Sequence, residues 1–208
     1  MKLYYSAGSC STSCHISLEE SGLKYEAVEI DWSNTSDPNL GEIERLNPLG
    51  TLPVMKTDQG RVLSQNIAIH TYIADQAPQR GLLPTDREER ALAMNWLSFV
   101  ASDLHKAFSP LFAVEGYSTD GKERERFRNW AVNNVNSCLA YLDQQLQGRD
   151  YLMGKNFTVA DAYCFVVVGW TKWVQIPLDS YKNIQIYMGR IYQRPAVQKV
   201  LKEEGLLE

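Results

Sequence analysis

The chain has 208 residues, enough for one large domain or two small ones, and its 44% apolar and 22% charged residues are ordinary for a globular fold. No apolar run reaches the length of a membrane span; the longest uncharged one, Ala162 to Thr171, reads as a buried helix. The net charge of −4 falls within residues 1–80, and Glu26, Glu29, Asp31, Asp37, Glu42 and Glu44 lie between Lys24 and Arg45 with no base among them, a poor surface for nucleic acid or an anionic membrane.

In chain order, Lys2–Ser6 reads as a strand that begins without signal-peptide character, so the cytosol is the expected compartment. Ser11–Ser21 is a helix stopped by Gly22, and Tyr25–Ile30 is a second strand. Leu52–Thr57 and Val62–Ser64 flank the turn Asp58-Gln59-Gly60. Pro53 cannot donate to a sheet ladder; it marks either a plain edge strand or a cis bend that turns the Leu52 backbone outward, as a docking strip for an extended peptide. Gln65–Gln76 is a helix with Ile69, Tyr72 and Ile73 on its apolar face. The order β-α-β, β-hairpin, helix predicts an α/β thioredoxin-like domain over residues 1–78. Residues 79–86 form a linker, and residues 87–208 form an all-α helical domain. In the latter, Phe127, Ala131, Val135, Cys138 and Leu142 share one helix face, and Thr158 with Asp161 forms a capping box before the buried helix Ala160–Trp173.

Two constellations are candidates for chemistry. Cys10 follows the Gly8-Ser9 turn and opens a helix, where unpaired N–H groups favour a thiolate. Ser11 beside it is an N-cap or a hydrogen-bond donor to the sulfur. Ser13 stands where a dithiol motif has its second cysteine, and Cys14 one turn on is core-facing or a resolving thiol. The four cysteines, Cys10, Cys14, Cys138 and Cys164, have no disulfide-framework spacing, and Cys10, Cys14 and His15 lack a fourth metal ligand, so free thiols and no metal are expected. The second constellation is Asn95, Ser98, Ser102, His105 and Ser109, which fall within about 80° of arc on a helix spanning 87–113. This stripe is small, uncharged and flanked by Lys106, so it reads as the wall of a polar pocket or as a helix contact satisfied by serines.

Over essentially its full length the chain resembles a bacterial beta-class glutathione transferase. The resemblance rests on Lys2-Leu3-Tyr4-Tyr5, Gly8-Ser9-Cys10-Ser11, Asn47-Pro48, Leu52-Pro53-Val54, Tyr72-Ile73-Ala74-Asp75, His105-Lys106, Ser109-Pro110-Leu111-Phe112 and Thr158-Val159-Ala160-Asp161. It implies glutathione as co-substrate, with Cys10, His105 and Ser11 at the sulfur and the Leu52-Pro53 backbone along the cysteinyl part. It further implies Gln65 and Asn66 at the γ-glutamyl end, and Ser98 and Ser102 as further contacts. Asp103 and Lys106 match positions near the partner subunit's site, since family members are homodimers. The implied activity joins glutathione to a small electrophile or exchanges it with a mixed disulfide through Cys10. The rival readings are a glutaredoxin-like thiol reductase and a non-catalytic binding module. No nucleic-acid or membrane partner is expected.

The chain departs from the family where glutathione's carboxylates and ammonium would be met. Residues 33–40 hold no cation where a lysine is common, Leu49 replaces another frequent lysine, and Gln65 carries no charge. Each missing charge-assisted contact weakens binding by roughly 1–3 kcal/mol if desolvated. Thr35→Lys is therefore expected to tighten glutathione binding by up to about 1 kcal/mol, with the gain shrinking as salt rises. Calorimetric titration of both proteins at two ionic strengths checks this; an unchanged affinity means the loop does not reach the ligand.

Overall fold

The computed structural model describes residues 1–34 and 36–207, so Thr35 lies outside the described residues. The chain folds as two compact units, Met1–Arg90 with Tyr192–Glu208, and Ala91–Ile191.

The first unit carries β1 (Lys2–Tyr5), α1 (Ser11–Ser21), β2 (Glu26–Glu29), α2 (Leu40–Leu46), β3 (Val54–Lys56), β4 (Val62–Leu63) and α3 (Asn66–Gln76). The sheet order is β2-β1-β3-β4; β1 and β2 are parallel and the other pairs antiparallel. Tyr4 sits opposite Val28 on one side and Val54 on the other, and Leu3 opposite Ala27 and Met55. Side chains alternate across a strand, so successive β1 residues serve two cores. Leu3, Tyr5 and Met55 pack with Cys14 and Leu18 of α1 and Ile69 and Ile73 of α3. Tyr4 and Val54 pack with Ile30 and Ile43 on the other face. The β-α-β, hairpin, helix order is thus the observed one, while α2, built around Ile43, was not foreseen from the sequence. Gly22 closes α1 in the left-handed region at φ 69°, its N–H on Glu19 O at 3.2 Å.

The last helix, α10 (Pro195–Glu203), belongs to this first unit, which differs from the division at residues 79–86. The reason is polar as well as apolar. Arg194 makes a two-pronged contact with Glu20 at 2.6 and 2.9 Å, and Lys199 meets Glu19 at 2.7 Å. No local pattern ties residues so far apart in sequence.

The second unit is helical: most of α4 (Arg87–Phe99), a π-turn over Val100–Leu104, α5 (His105–Phe112), α6 (Val114–Tyr117), α7 (Gly121–Gln145), α8 (Val159–Gly169) and α9 (Lys182–Tyr192). The single helix expected over 87–113 is therefore broken by a wider turn, which rotates His105 and Ser109 relative to Asn95 and Ser98. On α7, Ala131, Val135, Leu139 and Leu142 are buried; Leu139 takes the core position assigned to Cys138. α8 is buried along nearly its whole length and is the centre of this unit.

The capping box of α8 forms as read, and its acid does more than cap. Asp161 Oδ2 accepts from the Thr158 N–H at 2.7 Å and the Thr158 hydroxyl at 2.9 Å. Oδ1 accepts from the Leu152 N–H at 2.8 Å and the Tyr187 hydroxyl at 3.1 Å. Burial pushes the Asp161 carboxyl up to about 6, against the pull of these donors. Asp161→Ala strands several buried donors, and a loss of about 2–4 kcal/mol is expected in denaturant unfolding. The folded state holds a proton here that the unfolded chain has released, so this group's contribution to stability falls as pH rises from about 4 toward 6 and is level above. In Asp161→Asn that pH dependence disappears, although the amide destabilises the fold by setting N–H groups against donors. An unfolding curve unchanged in Asp161→Ala contradicts the role given to the box.

Candidate functional site

Cys10 occupies the N-cap of α1 at φ −58°, ψ −20°, half-buried. Its thiol donates to the Leu52 carbonyl at 3.6 Å, which brings the α1 N-terminus against the segment before β3. The Leu52–Pro53 peptide is cis. Pro53 is buried, β3 starts at Val54, and among the described residues the Leu52 N–H takes no backbone partner. Of the two readings of Pro53, the cis bend is the one found.

Ser11 is the first residue of α1, so it is not the N-cap. Its hydroxyl is fully buried and ties the loop to the end of β1. It accepts from the Ser6 N–H at 3.0 Å, lies 2.6 Å from the Ser9 hydroxyl and 3.2 Å from Ser6 O.

Gln65 and Asn66 stand together at the start of α3 but face opposite ways. Gln65 is exposed at the N-cap position, and its side chain makes no capping bond. Asn66 is buried, with Nδ2 donating to Cys10 O at 3.3 Å and Oδ1 accepting from the Cys14 thiol at 3.1 Å. The Asn66 side chain thus braces the cysteine loop, leaving its backbone N–H as the group presented at the helix end.

Behind Asn66 lies a buried polar set that the sequence did not disclose. Ser13 Oγ donates to Cys10 O at 2.6 Å and sits 3.0 Å from His70 Nε2, while His70 Nδ1 is 2.9 Å from Ser17 Oγ. Burial drives His70 down to about 3, so its ring is neutral. One tautomer satisfies the set: Nε2–H donates to Ser13, and Nδ1 accepts from Ser17. On the other side of the loop, the buried Glu204 carboxylate accepts from the Gly8 N–H at 3.2 Å and the Thr12 hydroxyl at 2.7 Å, and meets His15 Nδ1 at 2.9 Å. A lone histidine on an apolar helix face, and an acid at the far end of the chain, carry no local signal.

The other predicted site residues belong to the second unit. Ser98, Ser102, Asp103 and Lys106 are exposed, as are Asn95 and Ser109. The Ser102 hydroxyl lies 2.8 Å from both Ser98 O and Asp103 Oδ2. His105 is half-buried, its Nδ1 2.7 Å from the Tyr163 hydroxyl, its ring edge-on to Trp170 at 4.7 Å. Burial, with Lys106 adding to it, holds His105 down at about 4, so the imidazole is neutral at physiological pH. Phe112 also meets Trp170, at 5.5 Å, whereas Tyr117 stacks on Phe127 at 3.9 Å. Cys14, Cys138 and Cys164 are each raised, first by burial, and for Cys138 also by Asp103.

Two family models match the chain: the glutathione S-transferase N-terminal domain over residues 7–76 and the C-terminal domain over residues 102–204. Glutathione S-transferase GstA of Escherichia coli O157:H7 is 34% identical over 207 residues, covering 99% of this chain and 100% of the relative. Among solved structures, a sphingomonad glutathione S-transferase complexed with glutathione is 40% identical, with a TM-score of 0.89 and 100% of both chains covered. A bacterial beta-class enzyme from Sphingomonas chungbukensis is 39% identical, with a TM-score of 0.88 over 100% of both chains.

The opposite orientations of Gln65 and Asn66 separate their variants. Asn66→Ala is expected to lower stability by about 1–3 kcal/mol, because a buried carbonyl and thiol lose their partner. Gln65→Ala leaves the stability within about 0.5 kcal/mol of the parent, as an exposed side chain without bonds should. Equal losses in the two variants, read by denaturant unfolding, contradict the assigned geometry.

Proposed function

The chain belongs to the glutathione S-transferase family, and on that premise we propose how its residues carry the reaction. It is a glutathione transferase with glutathione as co-substrate, and its kinship is with the bacterial beta class. The observation that carries the site reading is Cys10 at the head of an 11-residue helix, in contact with the Leu52 carbonyl beside a cis Leu52–Pro53 bond.

Glutathione lies extended along Leu52-Pro53, exchanging backbone hydrogen bonds with Leu52 as an added strand does. Its γ-glutamyl carboxylate meets the N–H groups at the start of α3, where the helix dipole favours an anion. Gln65 supplies a neutral contact at the same end. The sulfur comes to Cys10, at the positive end of α1. The resemblance also assigns His105 to the sulfur, and its neutral ring is suited to donate a hydrogen bond rather than to carry a charge. Ser98, Ser102, Asp103 and Lys106 complete the reading as outer contacts.

In conjugation, the glutathione thiol gives up its proton, the thiolate electron pair forms the new C–S bond, and the leaving group departs with the bonding pair. In thiol exchange, the Cys10 thiolate attacks one sulfur of oxidised glutathione; a Cys10–glutathione disulfide forms and one glutathione thiolate leaves. The electrophile itself is small and soft, and its removal is detoxification. A homodimer in the cytosol completes the proposal. Four free cysteines agree with a reducing compartment, and the Trp96–Phe99–Tyr141 cluster, with Tyr141 exposed, offers an apolar face for a second copy. Among the described residues no helix is long and apolar enough to cross a membrane.

Incubation with oxidised glutathione and intact-mass measurement is expected to give one adduct, absent in Cys10→Ala. An adduct that persists in Cys10→Ala places the reactive thiol at Cys14, Cys138 or Cys164. Failure of the parent protein to be retained on immobilised glutathione favours the non-catalytic reading over both enzymatic ones.

A further inference from the structure

We propose that the second unit holds a small-molecule site of its own, a cleft between α7 and the segment joining α8 to α9 that takes a monocarboxylate with a short branched aliphatic chain. The cleft measures about 380 Å³, within the range of small-molecule sites, and is lined by residues of this unit alone. None of its lining residues is among those assigned to glutathione.

Arg128 sets the charge of the cleft. It is half-buried on α7, and its Nη2 donates to the Val174 carbonyl at 2.9 Å. That bond holds the guanidinium at the cleft wall through one nitrogen and leaves the rest of its N–H fork without a partner in the chain. Among the described residues no carboxylate pairs with Arg128, and neither Asp nor Glu lines the cleft. The nearby acids are placed elsewhere. Asp143, which acts on Tyr181, takes the Asn183 amide at 3.1 Å and the Ile184 N–H at 3.0 Å. Asp179 is exposed and outside the lining. A half-buried cation without a counter-charge favours an incoming anion, and the planar fork of a guanidinium matches a carboxylate.

The backbone gives a second, independent observation. Gln175 has φ 58°, and among the described residues it is the one residue other than glycine with a positive φ. The Ile176 N–H reaches Thr171 O at 2.9 Å and the Gln175 N–H reaches Lys172 O at 3.4 Å, the paired bonds of a left-handed helix stop where glycine is the ordinary residue. Glycine would relieve the backbone there, but it would remove an amide that lines the cleft. That amide makes no hydrogen bond among the described residues. A strained backbone at a cleft wall points to a residue kept for what its side chain meets. Asn136 brings a further amide: the Tyr181 hydroxyl donates to its Oδ1 at 3.3 Å, so its Nδ2 remains as a donor. Val132, Ile176 and Pro177 supply the apolar part of the lining, which suits a short branched chain on the carboxylate.

The probe is isovalerate, with isopentanol and isopentylamine as neutral and cationic controls of similar size. Titration followed by NMR is expected to show millimolar or tighter binding of the carboxylate and weaker binding of both controls. The amide shifts are expected at Arg128, Asn136 and Gln175 and should persist in the presence of saturating glutathione. Arg128→Gln is expected to weaken isovalerate at least about fivefold, the loss of a charge-assisted contact. Gln175→Gly guards against a loss that merely reflects unfolding: it relieves the left-handed backbone, so its denaturant midpoint is expected to equal or exceed that of the parent, while isovalerate binds at least about twofold more weakly. No binding of isovalerate overturns the proposal, as does equal binding of the alcohol or shifts that appear only in the first unit. An unchanged affinity in Gln175→Gly, or in a folded Arg128→Gln, also overturns it.

Discussion

The loop between β1 and α1 is the constraint on which the rest of the first unit depends. It carries the cysteine, it is irregular, and it must present backbone N–H groups without leaving them stranded. The protein solves this by holding the loop from three sides. Glu204, delivered by the end of the chain, takes the Gly8 N–H and the Thr12 hydroxyl. Asn66 and Ser13 take the Cys10 carbonyl. Ser9 and Ser11 close the turn on itself. An irregular segment becomes rigid only when its polar atoms are satisfied in this way, and a rigid loop holds the Cys10 side chain in one place. The salt bridges of α10 to Glu19 and Glu20 gain their meaning here, because they deliver Glu204 to its place.

Selection among the four thiols follows from burial rather than from any special feature of cysteine. Cys14 and Cys164 are fully buried, and their thiols are raised for that reason first. Cys138 is partly accessible, but burial and the nearby Asp103 carboxylate both oppose its thiolate. Cys10 is set where helix N–H groups converge. It also touches a carbonyl, the Leu52 oxygen, which accepts from the thiol and repels the thiolate.

Much of this was legible in the sequence where the signal is local. Gly22 after Ser21, the Asp58-Gln59-Gly60 turn, and Thr158 three residues before Asp161 each fix backbone geometry over a few residues, and each appears where it was read. The bend at Leu52-Pro53 was legible as one of two readings, because proline removes a donor from a strand. What was illegible is long-range. Nothing in the run around Glu204 distinguishes a buried anchor from one more exposed acid in a charged C-terminal helix. The π-turn at Val100–Leu104 was hidden for another reason: hydrophobic spacing reports the average period of a helix, and a single widened turn changes that average very little. Asn66 shows the same limit at the scale of one residue. Its position at the head of α3 was right, yet the direction of its side chain is set by Cys10 and Cys14, which its own neighbours do not encode.

The two buried histidines of the first unit show how one residue type is put to opposite uses. His70 is closed in by serines on both nitrogens, so it is a spacer that links α3 to α1 and has no remaining valence for a ligand. His15 is one turn past the cysteine loop and lies between two carboxyl groups, with Nδ1 2.9 Å from Glu204 and Nε2 3.5 Å from Glu203. The difference is made by what surrounds them: small hydroxyl side chains reach both sides of His70, while glutamate carboxyls reach both sides of His15. The serines make His70 a link between α3 and α1, and the two glutamates make His15 a link between α1 and the C-terminal helix, so each histidine ties the helix that follows Cys10 to a different neighbour.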